Sequence, residues 1–238
     1  MPLYNPKGVF ALYDSCIRSE GRYQAMGKTI TFDIDGTLTD YSRFADRYAV
    51  PYLSKKYGFY VVNENALEIE DILAIADFFI MEGYSPLCAE AKVRAVMRKF
   101  WHSPYALMYA PFGRFRKNAA NLIRHYLNTG YSVEIHTNRA GKKQYSPAAW
   151  FVRLCTKCQF LLNGVQPSRL RFLYYADDNE KALGIIAAQP ELVYEDKPQI
   201  IMKLSNAGIH TMCVSGRHNK RFSLPNLCER IDGFGTAT

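Results

Sequence analysis

Two carboxylates two residues apart, with a glycine behind them, are the groups of this chain best placed to do chemistry. They are Asp33 and Asp35 in the run Thr31-Phe32-Asp33-Ile34-Asp35-Gly36-Thr37-Leu38-Thr39-Asp40. Residues two apart on an extended chain point to the same side, so both acids can face one small site. Two anions this close repel unless something positive sits between them. A hard divalent cation such as Mg²⁺ suits their oxygen donors. Gly36 permits a tight turn that a side chain would obstruct. Taken alone, a D-x-D-G string could also be a surface turn or a fragment of a calcium loop.

The elements that must hold these groups can be read on either side of them. Residues 28 to 32 supply β-branched and aromatic side chains, with Ile30 and Phe32 alternating, and read as a buried strand that ends at the acids. In an open α/β sheet that end is where ligands bind. Phe115, Ala119, Leu122, Ile123 and Tyr126 follow helical spacing, and Asn128-Thr129-Gly130 stops the helix. Val133 and Ile135 mark a second strand, with Thr137 just past its end. Glu134 and His136 are awkward in a strand covered on both faces, and His136 reads as a satisfied core or rim histidine. Residues 148 to 160 read as a helix with Trp150, Phe151, Leu154, Cys155 and Cys158 on one face. Strands follow at 172–175, 192–194 and 209–214, the last of the chain. The helices between them begin at about Asp177 and at Pro198, and the tail 215–238 reads as loop plus a short helix. Strands alternating with helices predict a doubly wound parallel α/β sheet. Residues 41 to 109 form instead a helical block, and residues 1 to 27 an N-terminal extension of unassigned role.

The run Asp33-Ile34-Asp35-Gly36-Thr37-Leu38-Thr39 resembles the first signature of the haloacid dehalogenase-like (HAD) hydrolase superfamily, most of whose members are Mg²⁺-dependent phosphatases. The resemblance implies a Rossmann-like core (28–40 and 110–238) with a helical cap inserted at 41–109. It implies Asp33 as a nucleophile that becomes an aspartyl phosphate, and Asp35 as the acid that protonates the leaving group and later activates water. Thr137 is similar to the second signature, whose hydroxyl hydrogen-bonds the phosphoryl group. Asn138 and Arg139 then either orient substrate or cap the next turn. Lys181 is the candidate for the third signature, a lysine that neutralises nucleophile and phosphate together, with Lys197 as its rival. Glu195-Asp196 before Pro198 resembles the fourth, an acidic pair holding Mg²⁺ with Asp33 and the backbone carbonyl of Asp35. Asp196 is the stronger ligand, because Glu195 departs from the commoner aspartate. Apart from the resemblance, acidic residues are also favoured ahead of a helix.

Composition bounds the rest. The net charge of +8 over 238 residues favours anionic partners, whether phosphates or nucleic acid, and is equally compatible with a merely basic surface. Six scattered cysteines fit free thiols, and the lone Cys155-x-x-Cys158 lacks the second ligand pair a zinc site wants. Residues 1 to 28 hold no secretory apolar core, and the most apolar window, 72–81, is too short to span a membrane. The expectation is a cytoplasmic Mg²⁺-dependent phosphomonoesterase acting on a small phosphorylated substrate of nucleotide or sugar type. A phosphatase of nucleic-acid ends, or a non-catalytic binding protein with this fold, are the alternatives.

Overall fold

A computed structural model of the chain describes residues 28–39, 79–101, 113–139, 146–216 and 219–235, together with Lys55. The extension 1–27 lies outside them, as does most of the helical block expected at 41–109. What is described of that block is chiefly helix α1, Pro86–Trp101. It starts at Pro86, and proline suits a first helical position. The division into core and cap is therefore not drawn by the described residues.

The core is a six-stranded sheet. Its strands are β1 (Thr29–Phe32), β2 (Ser132–Thr137), β3 (Arg171–Tyr174), β4 (Leu192–Glu195), β5 (Thr211–Val214) and β6 (Cys228–Ile231). They lie in the order β3-β2-β1-β4-β5-β6, every pair parallel. Helices α2 (Ala119–Asn128), α3 (Pro147–Leu162), α4 (Asp178–Ala188) and α5 (Pro198–Asn206) make the crossovers. This is the predicted doubly wound arrangement, with β1 central and the chain reversing direction across the sheet between β3 and β4.

Side chains alternate between two cores. On one face Ile30, Phe32, Val133, Ile135 and Tyr194 pack with Ile123 of α2 and Phe160 of α3. Phe32 and its register partner Tyr194 stack at 4.5 Å. On the other face Val193 packs with Ala182 and Ile185 of α4 and with Ile200 and Leu204 of α5. Among the described residues no helix is long and apolar enough to cross a membrane.

Three expectations are corrected. β5 is not the last strand: β6 follows it in the tail. Its sequence, Cys-Glu-Arg-Ile, lacks a strand-like apolar run because an edge strand tolerates charge. Helix α2 starts at Ala119, not Phe115. Phe115 forms an antiparallel bridge with Thr39, and the Arg116 N–H donates to the Leu38 carbonyl, which holds that stretch extended. Helix α3 is rotated from its apolar reading. Ala149, Cys155, Thr156, Gln159 and Phe160 are buried, whereas Trp150, Phe151, Leu154 and Cys158 are exposed. Polar Thr156 and Gln159 go inside because each finds a partner there.

Candidate active site

The carboxyl ends of β1, β2 and β4 meet at one place. Asp33 is the first residue beyond β1, Thr137 the last of β2, Glu195 the last of β4, and Asp196 the first beyond it. Ile30 and Phe32 face α2 and α3, so alternation sends Asp33 to the opposite side, under α4. There it meets Lys181, which the phase of α4 places inward beside Ala182 and Ile185. Lys181 is 1% exposed, yet its ammonium lies 2.5 Å from Asp33 Oδ1 and 2.7 Å from Glu195 Oε2. Burial pulls its pKa down, but the charges of Asp33 and Glu195 outweigh burial and hold the lysine above its ordinary range.

The acids show the converse balance. Burial pushes the Asp33 carboxyl well above its usual value, Lys181 pulls it back, and Glu195, Asp196 and Asp35 push it further up. Burial and the neighbouring Asp196 likewise raise Glu195, against Lys181. Glu195 Oε1 accepts from the backbone N–H groups of Asp196 and Lys197 at 3.1 Å each. Asp33, Glu195 and Asp196 each offer an oxygen within 4.8 Å of the others. With all three ionised against one ammonium, the cluster would carry a formal charge of −2 in a buried place. A hard divalent cation is what such an all-oxygen set accommodates.

Asp196 is also fitted tightly against the loop after β1. Thr37 Oγ1 donates to Asp196 Oδ1 at 2.9 Å, and Asn219 Nδ2 donates to the Asp196 carbonyl at 2.8 Å. Gly36 has φ +89°, and a Cβ on it would lie 2.0 Å from Asp196 Oδ2. Glycine is needed here for both its backbone angle and the close approach.

Asp35 does not join the carboxylate cluster. Both its oxygens are taken by one guanidinium: Arg139 Nε donates to Oδ2 at 2.8 Å and Nη2 to Oδ1 at 2.5 Å. Arg139 Nη1 donates to Gln159 Oε1 at 2.6 Å, and Gln159 Nε2 donates to the Gly113 carbonyl at 2.7 Å. The Asp35 carboxylate thus points to Arg139 and not into the cluster, because β1 ends at Phe32 and the chain has turned by Asp35.

Of the other expected residues, Thr137 is buried, its Oγ1 accepting the Arg139 N–H at 3.2 Å. Asn138 Nδ2 donates to Asp178, and Lys197 pairs with the same carboxylate at 3.1 Å. The two candidate lysines therefore differ in place. Lys181 sits between Asp33 and Glu195, whereas Lys197 precedes α5 and reaches Asp178 at the more exposed start of α4.

Glu134 and His136 are also accounted for. His136 Nε2 lies 2.9 Å from Glu134 Oε2 and its Nδ1 2.9 Å from the Tyr175 hydroxyl. An ionised carboxylate only accepts, so Nε2 carries the proton and Tyr175 donates to Nδ1. Burial lowers the His136 pKa and keeps the ring neutral. Burial would raise Glu134, but the donors His136 and Arg171 hold it below its ordinary value. Arg116, Gln159 and Asn219 touch the site and had no sequence signal. Arg116 Nη2 donates to the Gly36 carbonyl at 2.8 Å. All three lie in segments that carry no motif.

No protein-family model matches the chain, and no curated protein matches it with significance. Solved structures do. One is a haloacid dehalogenase-like hydrolase of Streptococcus pneumoniae, at 13% identity and TM-score 0.52, covering 79% of this chain and 85% of the other. A Bacteroides fragilis protein assigned to the haloacid dehalogenase-like hydrolases has 14% identity and TM-score 0.55, covering 86% and 95%. CbbY from Rhodobacter sphaeroides, solved with phosphate, has 15% identity and TM-score 0.53, covering 87% and 95%. The chain has the haloacid dehalogenase-like fold.

Proposed function

We propose that this chain is a Mg²⁺-dependent phosphohydrolase that cleaves a small phosphomonoester through an aspartyl phosphate on Asp33. The observation that carries the reading is Lys181. A buried ammonium bridges the acid at the end of β1 to the acid at the end of β4, and with Asp196 the cluster holds more carboxyl groups than one ammonium can neutralise. A structural ion pair has no use for the surplus; a site for a cation and a phosphoryl group does. The phosphate seen in CbbY is consistent with that use of the fold.

In the first step an Asp33 carboxylate oxygen attacks phosphorus, and the bond from phosphorus to the leaving oxygen breaks. The Asp35 carboxyl gives its proton to that oxygen, so the alcohol departs neutral. Lys181 and the Thr137 hydroxyl stabilise charge on the equatorial oxygens. In the second step Asp35 takes a proton from water, whose oxygen attacks phosphorus. The acyl–phosphate bond breaks, restoring the Asp33 carboxylate and releasing phosphate. Asp33 and Asp196, with Glu195 close by and the Asp35 carbonyl, would hold Mg²⁺, whose contribution is to neutralise the carboxylates and the phosphoryl group against each other. Most of the rate is then positioning and electrostatics.

Phosphate release from a panel of sugar phosphates, nucleotides and phosphorylated oligonucleotide ends tests the reading. Wild type should turn over small esters only with Mg²⁺ present, and Asp33→Asn should abolish turnover. Turnover that survives in Asp33→Asn, or wild type inert towards every member, would refute it. A preference for oligonucleotide ends would keep the chemistry and change the substrate class.

A further inference from the structure

From the pairing of Asp35 we infer that Arg139 is a positioning residue for the acid–base carboxylate, with Gln159 holding Arg139 in turn, and not a group whose task is to grip substrate. The inference rests on the proposed phosphatase reading and adds to it how the acid is placed.

Arg139 follows Thr137 by two residues and its side chain is only 8% exposed. A guanidinium presents its donors in a fixed planar fork, and a carboxylate that takes two of them loses the freedom to rotate about its own bonds. Here the fork engages both Asp35 oxygens, through Nε at 2.8 Å and Nη2 at 2.5 Å. A third donor, Nη1, is fixed by Gln159 Oε1 at 2.6 Å. Gln159 is fully buried on α3, and its amide nitrogen is spent on the Gly113 carbonyl. The amide orientation is thereby set: its nitrogen faces a carbonyl and its oxygen a guanidinium. The chain Asp35–Arg139–Gln159–Gly113 runs from the loop after β1, through the loop after β2 and helix α3, to the segment leading into Phe115. Asp35 itself is 35% exposed, against 6% for Asp33. The acid that must trade protons with leaving group and water is the one left at the opening, and it needs an external brace to keep a fixed direction. An arginine meant for the phosphoryl group would not have its fork filled by a carboxylate and its remaining edge by a buried amide.

The test is dependence on the leaving group. With Mg²⁺, wild type is compared on p-nitrophenyl, phenyl and benzyl phosphate, whose leaving oxygens need a proton increasingly. Asp33→Asn and Asp35→Asn serve as references for the nucleophile and for the acid. Well-placed general-acid catalysis contributes about 10²–10⁴-fold. Arg139→Ala should therefore lose on the order of a hundredfold on benzyl phosphate and little on p-nitrophenyl phosphate, the pattern of Asp35→Asn. Arg139→Lys, which keeps the charge without the fork, should show the same tilt, and Gln159→Leu a weaker one. Adding Arg139→Ala to Asp35→Asn should cost almost nothing further. Equal losses on all three esters, with full additivity to Asp35→Asn, would make Arg139 a substrate-binding residue and overturn the inference. So would Arg139 variants that match wild type throughout. Thermal unfolding of each variant separates misfolding from chemistry, and the tilt is a ratio that a partly unfolded sample leaves unchanged. If wild type releases phosphate from no ester, neither these three nor the sugar phosphates and nucleotides, or Asp33→Asn keeps the activity, the phosphatase reading fails and the inference with it. If Asp33→Asn is dead and the arginine variants show no tilt, only the inference fails.

Discussion

Replacing Gly36 by alanine probes how closely the turn after β1 is fitted to Asp196, just past β4. Gly36 has φ +89°, and its added Cβ would sit 2.0 Å from Asp196 Oδ2 and 2.6 Å from Asp196 Cγ. Gly130 makes a matched control, since it has the same φ of +89° and nothing within 4 Å of an added Cβ. Both substitutions carry the cost of holding an L-residue in the left-handed region, about 1–2 kcal/mol. Gly36→Ala must also drive the Asp196 carboxylate away, which breaks the bond from Thr37 Oγ1. A hydrogen bond to a charged group is worth about 1.5–3 kcal/mol. The totals are then about 1–2 kcal/mol for Gly130→Ala and about 3–5 kcal/mol for Gly36→Ala. At roughly 2–4 °C per kcal/mol for a domain of this size, the melting temperatures should fall by about 4 °C and about 12 °C. The scans are run with and without Mg²⁺, because the displaced carboxylate is one of the three that could hold it. Mg²⁺ should raise the melting temperature of wild type and Gly130→Ala and leave Gly36→Ala nearly unmoved. Equal melting temperatures and equal Mg²⁺ responses in the two variants would refute the fit.

Lys181→Met keeps the length of the side chain and removes the charge that faces Asp33 and Glu195. Breaking a buried pair costs about 3–5 kcal/mol, so denaturant unfolding should show a loss of that order, and turnover should fall at least a hundredfold. His136 should set an acid limit on stability. Its pKa is lowered in the folded protein from 6.5, so the unfolded chain takes up its proton first. This contribution is absent above that value and turns destabilising as pH falls through 6.5 towards the folded pKa. The slope is at most about 1.4 kcal/mol per pH unit for one proton. Unfolding free energies at pH 7.5 and 5.5 should differ in wild type and differ less in His136→Asn; an unchanged difference would sink the argument.

How much of this was legible follows from where the partners lie. The carboxylates, Thr137 and Lys181 announce themselves because each stands at a strand end or just inside the next helix, a position local sequence marks. The alternation of Ile30, Phe32, Val133 and Ile135 likewise encodes a two-faced sheet. What was hidden depends on contacts between distant segments. Gln159 is one of several polar residues on its helix, and its bonds to Arg139 and Gly113 turn it inward. That rotation is why Trp150, Phe151 and Leu154 face out, against the apolar pattern. Arg139 could equally have met substrate or capped a turn; its engagement with Asp35, 104 residues away, has no local signature. β6 was missed because an edge strand of four residues, two of them charged, carries no period.

The central claim is that Asp33 becomes phosphorylated, and the most direct measurement is the mass of the protein quenched in acid during turnover with Mg²⁺. Asp35→Asn should be included, since it lacks the base that would clear the intermediate. The account predicts an adduct of one phosphoryl group on the peptide containing Asp33, removed by hydroxylamine and absent from Asp33→Asn. Steady turnover with no adduct in either wild type or Asp35→Asn, or an adduct on another residue, would contradict it.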